Sequence, residues 1–264
     1  MIPKKIHYCW YGNPEKPESV RRTMQTWKNV GRDYLLCEWN ETNCDFDCCE
    51  YVRGAAQRKK WALLSDYFRL AALEREGGIY LDTDAVCYKS FDDLLDLHGF
   101  LGYMYDSLIG TAVMGFEAHH PFVRALLSVY ETAVWIDDRR FEITLPGGGK
   151  HVCNCNNTVF TWLILEFYPD FKLHGRRIDL PELTVFPMRE FEVGRVLGRG
   201  HSVHLCQASW KNLSAKQKVF QRLKQFGARL PLVHLDALLR GLSYRRHIRA
   251  STYYDRYKKD GGRV

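Results

Sequence analysis

Residues Trp61 to Asp84 read Trp-Ala-Leu-Leu-Ser-Asp-Tyr-Phe-Arg-Leu-Ala-Ala-Leu-Glu-Arg-Glu-Gly-Gly-Ile-Tyr-Leu-Asp-Thr-Asp. Trp61, Leu64, Phe68 and Ala72 recur at three- and four-residue steps, which predicts a helix with one apolar stripe. Asp66 and Arg69 fall on another face, three apart and therefore neighbours. Gly77-Gly78 ends the helix, because glycine takes the left-handed turn a helix terminus needs. Ile79-Tyr80-Leu81 then reads as a strand that stops at two carboxylates, Asp82 and Asp84. On an ideal strand both would point the same way. Two carboxylates held close repel unless a cation lies between them. A divalent metal with oxygen ligands, partnered by a diphosphate, is the natural occupant of such a pair. Taken alone, an Asp-x-Asp pair is also what a solvated turn looks like.

Upstream, Lys5 to Trp10 reads as a first strand, closed by Tyr11-Gly12-Asn13-Pro14. Pro17 to Val30 reads as an amphipathic helix with Val20, Met24 and Trp27 on one side. Tyr34 to Asn40 reads as a second strand. A strand, helix and strand in that order open an α/β nucleotide-binding fold. No G-x-G-x-x-G or Walker sequence follows the first strand, so phosphates must be held by other means. Glu41 to Gly54 reads as a polar connection. Downstream, Phe100–Tyr105 and Leu108–Phe116 read as strands, with Gly110 and Gly115 allowing close backbone approach. A helix is expected from His119 to about Trp135, a loop over Leu145–Lys150, a helix over Val159–Tyr168 and a strand over Leu183–Pro187. The segment from His201 to Trp210 ends the recognisable pattern.

The string Ser65-Asp66, Arg69, Leu73, Gly77-Gly78, Tyr80, Asp82 and Asp84 resembles glycosyltransferase family 32, whose sugar-binding region carries a DXD motif. The likeness extends from Ile2 to Trp210. It implies a GT-A fold, α/β with a mixed, mostly parallel sheet, and a nucleotide-sugar donor. It implies a divalent cation, Mn2+ or Mg2+, on Asp82, Asp84 and a third ligand. Imidazole suits that third place, and His204 is preferred to His201. His7 and Trp10 match the family's first strand, with Trp10 stacking on the donor base. Tyr80, Ser209 and Trp210 match donor-site positions, and Asp66 and Arg69 match contacts to sugar hydroxyls. Asn156-Asn157 stands where the family often has Gly-Pro. The implied reaction moves a hexose, most readily from a UDP-hexose, to a glycan or lipid-linked glycan. The implied setting is bacterial capsule, exopolysaccharide or lipopolysaccharide assembly. Two rival readings are a haloacid-dehalogenase-type phosphatase, since Asp82-Thr83-Asp84-Ala85-Val86 fits its nucleophile motif, and a non-catalytic nucleotide-sugar-binding module. The phosphatase motif ordinarily ends the first strand of its domain; here a strand, a helix and a second strand precede it.

The 264 residues carry 46% hydrophobic and 14% aromatic side chains, enough for a large core. No apolar run approaches the roughly 18 to 20 residues needed to span a membrane, and Met1–Lys5 shows no secretory pattern. The expectation is therefore a cytoplasmic chain. Its nine cysteines, an odd number at spacings that match no zinc pattern, are expected to be free thiols. The net charge of +7 is uneven. Lys211–Val264 holds 14 Lys and Arg against 3 Asp. The division expected is a catalytic domain over 1–210 and a basic helical tail over 211–264. That tail suits an anionic membrane surface. No recognition motif for nucleic acid accompanies it.

Overall fold

The computed structural model describes residues 1–193, 200–206, 219 and 245–263. Ser209 and Trp210, and most of the basic segment, lie outside these residues. The centre is a seven-stranded sheet in the order β10-β11-β5-β6-β3-β1-β2. It is built from β1 (Lys5–Cys9), β2 (Leu35–Trp39), β3 (Gly78–Leu81), β5 (Gly99–Tyr105), β6 (Leu108–Phe116), β10 (Ile178–Asp179) and β11 (Thr184–Phe186). Strands β2, β1 and β3 run parallel, and so do β5 and β11. The β3–β6, β5–β6 and β10–β11 pairings are antiparallel. The sheet is thus mixed, with the parallel character concentrated in its N-terminal strands. Two small sheets flank it. One pairs β4 (Ala85–Cys87) with β12 (Ser202–His204). The other joins β7 (Val134–Trp135), β8 (Phe141–Thr144) and β9 (Lys150–Cys153).

Helix α1 (Glu18–Gln25) links β1 to β2, giving the expected opening unit. Helices α2 (Glu50–Gln57) and α3 (Trp61–Glu76) then return the chain to the opposite side of β1, where β3 adds. The chain therefore reverses direction about β1. In open α/β sheets such a switch leaves a crevice at the carboxyl ends of the two strands, where ligands bind. Trp10 follows β1 and Asp82 follows β3, so both leave the sheet at that edge.

Helix α3 is buried on more sides than its apolar stripe suggests. Leu64, Phe68 and Ala72 are in the core, but so are Tyr67, Leu70, Leu73, Asp66 and Arg69. It packs between the sheet and α4 (Pro121–Glu131). Gly77 and Gly78 both have positive φ, +61° and +112°. A Cβ on Gly77 would lie 2.6 Å from the Ala118 nitrogen, so the tight exit from α3 into β3 needs glycine on both counts.

Two expectations are corrected. Glu41–Gly54 is not all connection, because α2 starts at Glu50 and buries Tyr51, Val52 and Ala55. The helix expected to reach Trp135 ends at Glu131; Trp135 pairs in β7 instead and stacks on Tyr51. The far end of the basic segment packs on the body. Ile248, Tyr253 and Tyr257, the last in α6 (Tyr254–Lys259), are buried in the main core. Tyr253 Oη donates to the Thr158 carbonyl at 2.7 Å, and the Leu173 amide donates to Asp260 at 2.9 Å. Among the described residues no helix is long and apolar enough to cross a membrane. All nine cysteines are free thiols.

Candidate active site

The site begins with Arg69. Its position on α3 buries the guanidinium under the sheet edge, 4% exposed. Nη1 donates to the Thr111 carbonyl at 2.9 Å, Nε to the Ser65 carbonyl at 3.1 Å, and Nη2 to Ser65 Oγ at 3.0 Å. Nη2 also pairs with Asp66 Oδ1 at 3.1 Å and Asp82 Oδ1 at 3.3 Å. The guanidinium Cζ lies 4.4 Å from the Tyr80 ring centre. A planar fork suits this many acceptors; a lysine ammonium would not.

Around it sit the acids. Asp66 is as buried as Arg69, and Asn156 Nδ2 donates to its Oδ1 at 2.7 Å. Burial pushes the Asp66 carboxyl up to about 7, against the pull of Arg69 and with a further push from Asp82. Asp82 follows β3, and its backbone N–H bonds to the Ala112 carbonyl at 2.8 Å. Tyr80 Oη donates to its Oδ1 at 3.1 Å. Burial also raises the Asp82 carboxyl, with Arg69 and His204 opposing and Asp84 adding to the rise. The turn after Asp82 feeds β4, and β12 pairs back along β4 so that His204 faces Ala85. That register brings His204 Nε2 to 3.2 Å from Asp84 Oδ1. The other ring nitrogen, Nδ1, lies 2.9 Å from Glu192 Oε2 and 3.6 Å from Cys206 Sγ. Burial pulls the His204 imidazolium down, but its electrostatic interactions with Cys206, Asp84 and Glu192 outweigh it and hold the group well above its usual value.

One ligand atom each from Asp82, Asp84 and His204 lies within 4.8 Å of the others. Two carboxylate oxygens and an imidazole nitrogen form a donor set that Mn2+ and Mg2+ accept, with small inward movements. His201 is elsewhere: its nitrogens meet Glu190 and Asp93 at 2.7 Å each. It lines a separate cavity of about 320 Å³ with Lys89, Asp93 and Arg177, and none of Asp66, Arg69, Asp82 or Asp84 lines that cavity.

Residues 17–101 match the family model described as the glycosyltransferase sugar-binding region containing a DXD motif. The match covers about a third of the chain and includes α3 and the Asp82-Thr83-Asp84 turn. Curated glycosyltransferases resemble the chain over part of its length. Inositol phosphoceramide mannosyltransferase 3 of Schizosaccharomyces pombe is 32% identical over 126 residues, covering 46% of this chain and 35% of the relative. Human lactosylceramide 4-alpha-galactosyltransferase is 28% identical over 124 residues, covering 41% and 34%. The chain thus spans about a third of the length of these two relatives. Among solved structures, the PaToxG glycosyltransferase aligns with a TM-score of 0.46 at 19% identity, covering 64% of this chain and 70% of that one.

The remaining residues singled out in the sequence divide clearly. Asp66, Arg69, Tyr80, Asp82, Asp84 and His204 converge. Trp10 stands at the switch-point edge, partly exposed; its indole donates to the Asn13 carbonyl and its face lies 5.8 Å from Lys16 Nζ. His7 does not reach the crevice. It is fully buried, accepting from Trp39 Nε1 at 3.0 Å through Nδ1 and donating to the Gly77 carbonyl at 2.8 Å through Nε2. An indole N–H can only donate, so this histidine is the neutral Nε2–H form, and burial lowers its basicity further. Its task is to tie β1 to β2 and to the exit of α3. Tyr80 is also buried, and it acts on Asp82 rather than on the crevice. Ser209 and Trp210 lie outside the described residues. Asn156, Thr111 and Glu192 were not foreseen. Asn156 carried one signal, as the first residue of α5 (Asn156–Phe167) at a departure from the family's pattern.

Proposed function

We propose that this chain transfers a hexose from a nucleotide sugar to a hydroxyl of a glycan or lipid-linked glycan, with a divalent cation at Asp82, Asp84 and His204. The observation that carries the reading is the convergence of those three side chains at the switch-point edge of the sheet. Mn2+ or Mg2+ bound there would counter the charge that develops on the departing nucleoside diphosphate. The protein's own part is orientation. Arg69 and Tyr80 fix Asp82 from behind through Oδ1. Asn156 and Arg69 fix Asp66 through its Oδ1. Trp10 offers an aromatic face for the base at the same edge, a contact worth about 1–3 kcal/mol where bases stack on aromatics. The sequence likeness favours retention of anomeric configuration, with front-face attack by the acceptor.

The finer terms of the proposal are a UDP-hexose donor and capsule, exopolysaccharide or lipopolysaccharide assembly at the inner face of a bacterial membrane. Two relatives named for ceramide-linked substrates favour a lipid-linked acceptor. The basic segment 211–264 remains the proposed contact to an anionic surface. The test is nucleotide release from UDP-glucose, UDP-galactose, UDP-N-acetylglucosamine and GDP-mannose with Mn2+, in wild type and Asp84→Asn. Release from one donor that is lost in the folded variant supports the reading. Equal turnover in both, or phosphate release from a phosphomonoester in its place, refutes it.

A further inference from the structure

Glu192 belongs to no motif, yet it is 2% exposed and sits beside the inner ring nitrogen of His204, so its neighbours define what it does. Its Oε2 lies 2.9 Å from His204 Nδ1, and its carbonyl accepts the His204 backbone N–H at 3.2 Å. The strand bearing His204 is laced to the same segment by two more bonds. The Ser202 amide reaches the Glu190 carbonyl at 3.3 Å, and Ser202 Oγ donates to the Phe191 carbonyl at 3.0 Å. The opposite wall is cut back to fit. A Cβ on Gly110 of β6 would lie 2.8 Å from Glu192 Oε1.

We propose that Glu192 is a positioning residue, holding the His204 imidazole in the Nδ1–H form and turning Nε2 toward the Asp82 and Asp84 carboxylates. The inference rests on the reading of that cluster as a cation site. A carboxylate that accepts a hydrogen bond from one ring N–H leaves the other nitrogen to bind the cation, and it makes the ring a stronger donor. Glu192 is suited to this because it grips the histidine at two points, one on the backbone and one on the ring. Cys206 Sγ, at 3.6 Å from Nδ1, is the more distant contact.

The test titrates the full chain with Mn2+ alone, following the free-ion electron paramagnetic resonance signal. Wild type, Asp84→Asn, Glu192→Gln and Gly110→Ala are compared, each with a melting curve in chelator. Expected is Asp84-dependent binding in wild type, weakened about 10–100-fold by Glu192→Gln. Gly110→Ala, which keeps the carboxylate but displaces it, weakens binding in the same direction. With Mg2+ present, the His204 ring shows the Nδ1–H nitrogen-15 pattern in wild type and loses it in Glu192→Gln. A merely structural Glu192 would lower the melting temperature and leave both readouts unchanged in the folded protein. Wild-type Mn2+ affinity in Glu192→Gln, or in Gly110→Ala should the former not fold, overturns the positioning role while the cation site stands. Binding that survives Asp84→Asn overturns the cation site itself, and Glu192's role with it.

Discussion

Replacing Arg69 by methionine separates charge from packing in this site. Methionine follows the side chain as far as Nε but offers no donor and no charge. Asp66 and Asp82, which share Arg69 Nη2 at 3.1 and 3.3 Å, would then face each other without their counter-ion. The carbonyls of Ser65 and Thr111 would also lose a partner. Removing one member of a buried ion pair typically costs about 3–5 kcal/mol, because the remaining charge stays buried. For a chain of this size about 2 °C of melting temperature corresponds to each kcal/mol, so the loss should be about 6–10 °C at pH 8.

The pH dependence is the sharper part of this prediction. Without Arg69, burial raises the Asp66 carboxyl beyond the value of about 7 it has now. An acid raised in the folded state stabilises below its unfolded pKa and loses that stabilisation as pH rises through the folded value. The variant's deficit should therefore shrink at pH 5, where Asp66 is protonated, and grow toward pH 8. Adding Asp66→Asn to Arg69→Met should recover part of the loss, with a coupling of about 0.5–3 kcal/mol. Urea or thermal unfolding of the four proteins at pH 5 and 8 measures this. A deficit of equal size at both pH values would show that Arg69 matters by its bulk, and the charge argument would fall.

Three further outcomes follow from the same contacts. Asp66→Asn should flatten the wild type's decline in stability between pH 5 and 8, a difference of about 2–3 kcal/mol for a carboxyl near 7; parallel curves for the two proteins would contradict that assignment. Tyr80→Phe removes the hydroxyl that donates to Asp82 but leaves the ring beneath Arg69, and it should weaken Mn2+ binding by about tenfold, as expected for a hydrogen bond to a charged group of about 1.5 kcal/mol; unchanged binding would make that bond irrelevant to the site. Trp39→Phe leaves His7 Nδ1 buried without its donor, costing about 1–3 kcal/mol of stability, yet kcat/KM should hold because His7 does not face the crevice; a stable protein with impaired turnover would return His7 to the donor site.

The contrast between Asp82 and His7 explains what the sequence could reveal here. Asp82 is legible because its placement follows from local rules: a helix, a glycine exit and a four-residue strand carry it to a sheet edge, whatever surrounds it. His7 obeys the same rules and sits on the neighbouring strand, in register with Tyr80. Which face of a strand meets the ligand, however, is decided by long-range packing, and here Trp39 and the Gly77 carbonyl claim the ring. The α3 stripe misleads for a related reason. Periodicity marks apolar residues as buried and leaves Asp66 and Arg69 on the other face, but that face is also covered, by the sheet edge and by Asn156 of α5. Their burial is what raises Asp66 and makes Arg69 indispensable, and it depends on Asn156, 90 residues away in the chain. Glu192 and His204 are joined across an irregular segment with no repeat to read. The electrostatic centre was thus visible as a list of charged residues, whereas the partition between those that face a ligand and those that hold the facing ones in place exists only once distant elements have packed.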